Sequence, residues 1–196
     1  GSVVSTVYSA QIKSDGTINA WQTLTALPAV RQQLGLVASN GYLFALGGES
    51  AGATTSTSTV YSAAITGDGR VGTWATLTST LTVALYAFGA TSYNGFVFVT
   101  GGFTGSAAVS TSYVAAVKSD GTLGAWTTQT NTLRALTQYH SVSAYNGYLY
   151  MTGGCPTSCT TPVSTVYSAQ INADGTTGAW ATLGTIPVIT SNHASA

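Results

Sequence analysis

The sequence predicts an all-β chain of repeated four-stranded antiparallel sheets, and three observations predict it. A unit of about 53 residues recurs, in register on Tyr8-Ser9-Ala10, Tyr61-Ser62-Ala63, Tyr113-Val114-Ala115 and Tyr167-Ser168-Ala169. Between its fixed points apolar residues alternate with polar ones and Val, Thr, Tyr and Phe dominate, which is the period of strands, and no amphipathic helix is visible. The fixed points are turn residues: Asp-Gly at 15–16, 68–69, 120–121 and 174–175, and Asn-Gly at 40–41, 94–95 and 146–147. Asn-Gly and Asp-Gly are the strongest two-residue hairpin signals, because the turn that matches strand twist needs positive φ.

Taken in order, each unit supplies two hairpins. The strand at 34–39 pairs across Asn-Gly with 42–46 and ends in Gly47-Gly48, a pair that returns at Gly101-Gly102 and Gly153-Gly154. After a variable loop, the strand holding Tyr-Ser-Ala pairs across Asp-Gly with the strand around a tryptophan, as 7–12 does with 20–24. Four strands in about 50 residues make a β-propeller blade. Trp21, Trp74, Trp126 and Trp180 are then the wedges between blades, since a repeat unit buries its faces only against its neighbours. The chain divides into an N-terminal half-blade at 3–30, blades at 31–78, 84–130 and 136–183, and the inner strand of a split blade at 189–196. The split blade lacks the strand that ends in Gly-Gly, so the expected ring is completed by more chain or by further copies.

The run Tyr42-Leu43-Phe44-Ala45-Leu46-Gly47-Gly48, followed by a loop, a Val-Tyr strand and Trp74, resembles the kelch repeat, with its di-glycine, tyrosine and tryptophan. Arg31, just past Leu27-Pro28, stands where kelch repeats often carry arginine; the column is lost at Ala84 and Thr190, and Arg134 sits two residues off. The resemblance covers essentially the whole chain and implies a bacterial-style secreted or surface propeller. The spacing from Asp-Gly to tryptophan is also similar to the Asp-box of sialidases, but that box places a residue between Asp and Gly, which are adjacent here.

Composition narrows the function classes. Charged residues make up 5% of the chain, against roughly 25% in an average soluble protein. Five basic residues balance five acidic ones, leaving no electrostatic footprint for nucleic acid. No stretch has the 18 or more apolar residues of a membrane span, so no membrane insertion is expected. A surface of Thr, Ser, Asn and Gly suits an extracellular or cell-surface protein. Cys155 and Cys159 bracket the loop after the third Gly-Gly and are read as a disulfide, as an even cysteine pair in an exported-looking chain implies.

Catalytic chemistry finds little support. Four of the five acids, Asp15, Asp68, Asp120 and Asp174, serve turns, which leaves Glu49 as the free carboxylate, and one cannot supply a glycosidase acid and base pair. His140 and His193 share a column with Leu34 and Phe88 on the strand expected nearest the channel, but two histidines alone are a thin metal site. No phosphate loop follows any Gly-Gly. The expectation is therefore a non-catalytic module without cofactor or metal, which binds a protein or glycan ligand or serves as a scaffold. Its contact candidates are Glu49, Phe103 and the Cys155 to Cys159 loop on the Gly-Gly face, and Arg31, Arg134, Tyr139, His140 and His193 on the channel side. Loops on a rigid scaffold are where recognition sits. Two alternatives stay open: self-assembly of copies into rings or filaments, favoured by a net charge near zero, and a portion of a carbohydrate-active or copper-oxidase kelch enzyme.

Overall fold

The structure, a computed structural model, describes residues 3–50, 55–156 and 159–193. Over these residues the chain is all-β, with three four-stranded antiparallel sheets and one hairpin. The hairpin pairs β1 (Val7–Ser9) with β2 (Gln22–Leu24). The first blade runs in sheet order β3 (Gly35–Ser39), β4 (Tyr42–Leu46), β5 (Val60–Ala64) and β6 (Ala75–Thr76). The second contains β7 (Gly89–Tyr93), β8 (Phe96–Thr100), β9 (Ser112–Ala116) and β10 (Thr127–Thr128). The third contains β11 (Ser141–Tyr145), β12 (Tyr148–Thr152), β13 (Val163–Gln170) and β14 (Ala181–Thr190). The first strands of the blades lie side by side, with β7 between β3 and β11, and Ser92 Oγ donates to Ala38 O at 2.7 Å across that seam.

Turn chemistry explains the strand boundaries, with one correction. Asn40 and Gly41 both have positive φ, 49° and 79°, between the paired residues Ser39 and Tyr42, which is the two-residue hairpin the sequence predicts. The Asp-Gly turns differ from that expectation. Only the glycine has positive φ there, Gly16 N donates to Lys13 O at 3.0 Å, and Lys13 N donates to Thr17 O at 2.8 Å, which makes a three-residue loop. The aspartate stays outside the left-handed region because its carboxylate accepts Thr17 N and Thr17 Oγ1, at 2.9 and 2.7 Å, and so closes the loop from its own side chain. These bonds, the hydroxyl's first, hold the Asp15 carboxyl below its usual pKa, and Asp120 and Asp174 are set in the same way by Thr122 and Thr176.

The core lies between blades. One apolar cluster joins the first two blades through Phe44, Leu46, Val97, Val99 and Trp126, and a second joins the next two through Phe98, Leu149, Met151 and Trp180. A third seats the hairpin on the first blade through Trp74, Tyr61, Val7 and Leu24. The Gly-Gly pair is part of the same device. At Gly101 and Gly102, φ is 55° and 101°. A Cβ on Gly101 would stand 2.9 Å from His140 Cε1 of the following blade, and one on Gly102 would stand 2.7 Å from Phe88 Cβ of its own. Two glycines are needed because an inner residue from each blade presses on this bend.

The third blade departs from the expected boundaries. β14 continues past Trp180 and reaches Thr190, paired with Val163 after two irregularities in register. Ile189 and Thr190 thus belong to this strand, residues 191–193 follow it outside any strand, and the inner strand expected at 189–196 does not appear among the described residues. Residues 189–193 align with 30–34 and 84–88, which precede the inner strands β3 and β7, and here Thr190 pairs with Val163 at the edge of β13. Positions 51–54, 157–158 and 194–196, which include parts of two variable loops and the end of the expected strand, lie outside the described residues.

Candidate functional site

Directly after each Gly-Gly the backbone makes the same small bridge. Glu49 and Gln32 exchange both amide hydrogen bonds, at 2.9 and 3.1 Å, and so do Phe103 with Tyr86 and Cys155 with Gln138. The scaffold is constant, and the side chains on it are not. At the first bridge Gln32 Nε2 donates to Glu49 Oε2 at 2.7 Å, and the carboxylate is buried. At the second the Tyr86 and Phe103 rings pack with centroids 5.4 Å apart. At the third a disulfide joins Cys155 to Cys159 across a Cα separation of 4.8 Å, and Cys155 is fully buried. The first two bridges lie near enough to interact: burial first, and then the charge of the Glu49 carboxylate, push the Tyr86 pKa up.

Beside these bridges the blades are stitched around the channel. Gln33, Ala87, Tyr139 and Asn192 occupy one column with φ between 52° and 55°. Ala87 N donates to Gln33 O at 3.1 Å, Tyr139 N to Ala87 O at 2.7 Å and Asn192 N to Tyr139 O at 3.0 Å. A pocket of about 160 Å³ opens there, with Gln33, Phe88, Tyr139, His140, Asn192 and His193 in its wall. The next column holds Leu34, Phe88, His140 and His193, and the last three close the junctions. Phe88 packs against Leu46, His140 Nε2 meets Thr100 Oγ1 at 2.9 Å, and His193 Nε2 meets Thr152 Oγ1 at 3.0 Å. His140 is buried, which lowers its pKa to about 4, and the neighbouring His193 adds to that shift.

The structure therefore places Tyr139, His140 and His193 in the channel wall, and Glu49 and Phe103 on the bridges beside it, outside the pocket linings. Arg31 and Arg134, expected on the channel side, are held elsewhere. Arg31 lies over the Tyr61 ring at 5.6 Å and donates to its hydroxyl at 3.2 Å, and Arg134 Nη1 donates to Trp180 O at 3.2 Å. Arg31 is occupied by β5 and Arg134 by the carbonyl that precedes β14, and neither belongs to the channel wall. Gln32, Tyr86 and Gln138 escape sequence reasoning, although their shared place just before the left-handed column is a signal the repeat carries. Among the described residues no group of three or more His, Cys, Asp or Glu is arranged to hold a metal ion. The mouth offers one buried carboxylate, amides, phenol hydroxyls and aromatic faces, a set suited to hydrogen bonding and stacking.

No protein-family model matches the chain, and no curated protein does. Among solved structures it is similar to that of YjhT, a kelch-repeat β-propeller, with a TM-score of 0.65 and 15% sequence identity. The match covers 84% of this chain and 49% of that one, so the chain spans about half the length of the protein it resembles. At that identity the likeness speaks for the fold, and the fold is that of half a kelch propeller.

Proposed function

We propose that this chain is a non-catalytic binding module of the bacterial secreted or surface kelch-like kind, and that it takes a neutral, hydroxyl-rich ligand, a glycan or the glycosylated face of a protein, at the Gly-Gly end of its channel. One observation carries the reading: the same backbone bridge is built three times with three different pairs of side chains, Gln32 with Glu49, Tyr86 with Phe103 and Gln138 with Cys155. A purely structural element has no reason to vary so widely on so constant a frame. A carboxylate beside an amide suits sugar hydroxyls, and an aromatic pair suits the apolar face of a pyranose. With 5% charged residues and no net charge, the chain has no field to select an ionic ligand. The disulfide supports residence in an oxidising compartment.

The test is a screen of immobilised neutral glycans, followed by titration calorimetry on any hit with Glu49→Gln and Phe103→Ala. Binding that weakens at least tenfold in both variants, with their melting profiles retained, is the expected result. Silence across the screen, or an affinity indifferent to both substitutions, refutes the assignment.

A further inference from the structure

Every junction inside the chain buries a tryptophan, and the two junctions between four-stranded blades add an Asp-Gly turn. The tryptophan of one blade is buried against the blade or hairpin before it, with Trp74, Trp126 and Trp180 only 7%, 8% and 3% exposed. The Asp-Gly turn reaches back as well. Gly121 lies on the Tyr42 ring and Gly175 on the Phe96 ring, so closely that a Cβ on either would collide with it. At the junction of the first two blades Ser62 Oγ donates to Gly121 O at 2.8 Å, and at the hairpin junction Trp74 Nε1 donates to Thr25 O at 3.0 Å.

The two outward faces carry the two unmatched halves of this junction. On the hairpin, Trp21 is 66% exposed and Tyr8 57%. On the third blade, Tyr148 occupies the place of Tyr42 and Phe96 and is 39% exposed, and Ser168, itself 8% exposed, occupies the place of Ser62 beneath it in the sheet. One face is a plug and the other its socket. They differ from each other, so a contact between them joins head to tail.

We propose that a second copy of this chain fills both faces: the hairpin of one copy, with Trp21 and Gly16, seats against Tyr148 and Ser168 of the other, and two copies close into one disc. The junction continues the interface already formed between blades inside each copy. Two copies are proposed because 84% of this chain matches about half of a kelch propeller. The absence of net charge leaves no long-range repulsion between copies.

Light scattering coupled to size exclusion, over a hundredfold concentration range, is expected to give twice the 19.8 kDa of one chain. Trp21→Asp and Tyr148→Asp, both at exposed positions, should each raise the dissociation midpoint at least tenfold with unchanged circular dichroism. An equimolar mixture of the two variants should regain the two-chain species, because each contributes the face the other has lost. Tryptophan emission of the unmodified chain should shift to the blue on association, and this shift should vanish in Trp21→Phe. A single-chain mass throughout, a two-chain mass indifferent to both variants, or a mixture that stays dissociated overturns the head-to-tail junction. A mass that climbs past two chains overturns the closed pair.

Discussion

Burial holds the His140 imidazole neutral at the junction between the second and third blades, with its pKa lowered from 6.5 to about 4. The unfolded chain takes up a proton near pH 6.5 that the folded chain refuses until about pH 4, so this residue's share of stability is complete above pH 6.5 and is lost as the pH falls through that window. A tenfold change in proton affinity is worth about 1.4 kcal/mol, which makes the loss a few kcal/mol at most. The Asp-Gly carboxylates also have lowered pKa values, from 3.8, and their contribution disappears only at lower pH. Urea unfolding at pH 7.0 and pH 4.5 therefore spans most of the His140 window. The double variant Thr100→Leu with His140→Phe copies the apolar pair, Leu46 and Phe88, that the first two blades use in the same columns. It should lose most of the difference between the two pH values. A difference as large as that of the unmodified chain would place the titrating group elsewhere.

At the level of strands and turns, the tryptophan column separates packing from sequence identity. Trp180→Ala removes a wedge buried among Phe98, Val114 and Met151, and should cost about 3–5 kcal/mol, as large-to-small changes in a core do. Trp21→Ala, at the same place in the repeat, should change the stability of the single chain by no more than about 0.5 kcal/mol, as surface substitutions do. Chemical denaturation of dilute protein measures both, and equal losses would count against the assignment of faces. This contrast also marks how far the sequence could be read. The Asn-Gly turns, the Gly-Gly bends and the order of strands are local, so their residues announce them. The pairing of Glu49 with Gln32 and Tyr86 is not local: Gln32 stands before β3, 17 residues away, and Tyr86 belongs to the next blade. The identical columns do not tell Trp21 from Trp180, because exposure depends on which blade stands alongside. The Arg31 column likewise gives a position along the chain and not the Tyr61 ring that captures the guanidinium.

Across the whole molecule, stability should grade from the ends toward the middle, because a repeat array gains part of its stability at each interface between neighbours. The second blade has an apolar cluster on each face, and its strand β8 carries Val97, Phe98 and Val99 almost wholly buried. The hairpin has a cluster on one face only, and its ladder pairs three residues with three. Local opening should thus be easiest in β1 and β2 and hardest in β8. Amide hydrogen exchange followed by mass spectrometry is expected to find the 3–24 segment exchanging orders of magnitude faster than 96–100 in dilute protein. Raising the concentration should then slow exchange in β1 and in β12, which bears Tyr148, and leave β8 unchanged, because only the outward faces gain a neighbour when copies join. Protection in β1 equal to that in β8 for the dissociated chain would show that the array unfolds as one unit. The blades would then be coupled more tightly than their separate clusters imply.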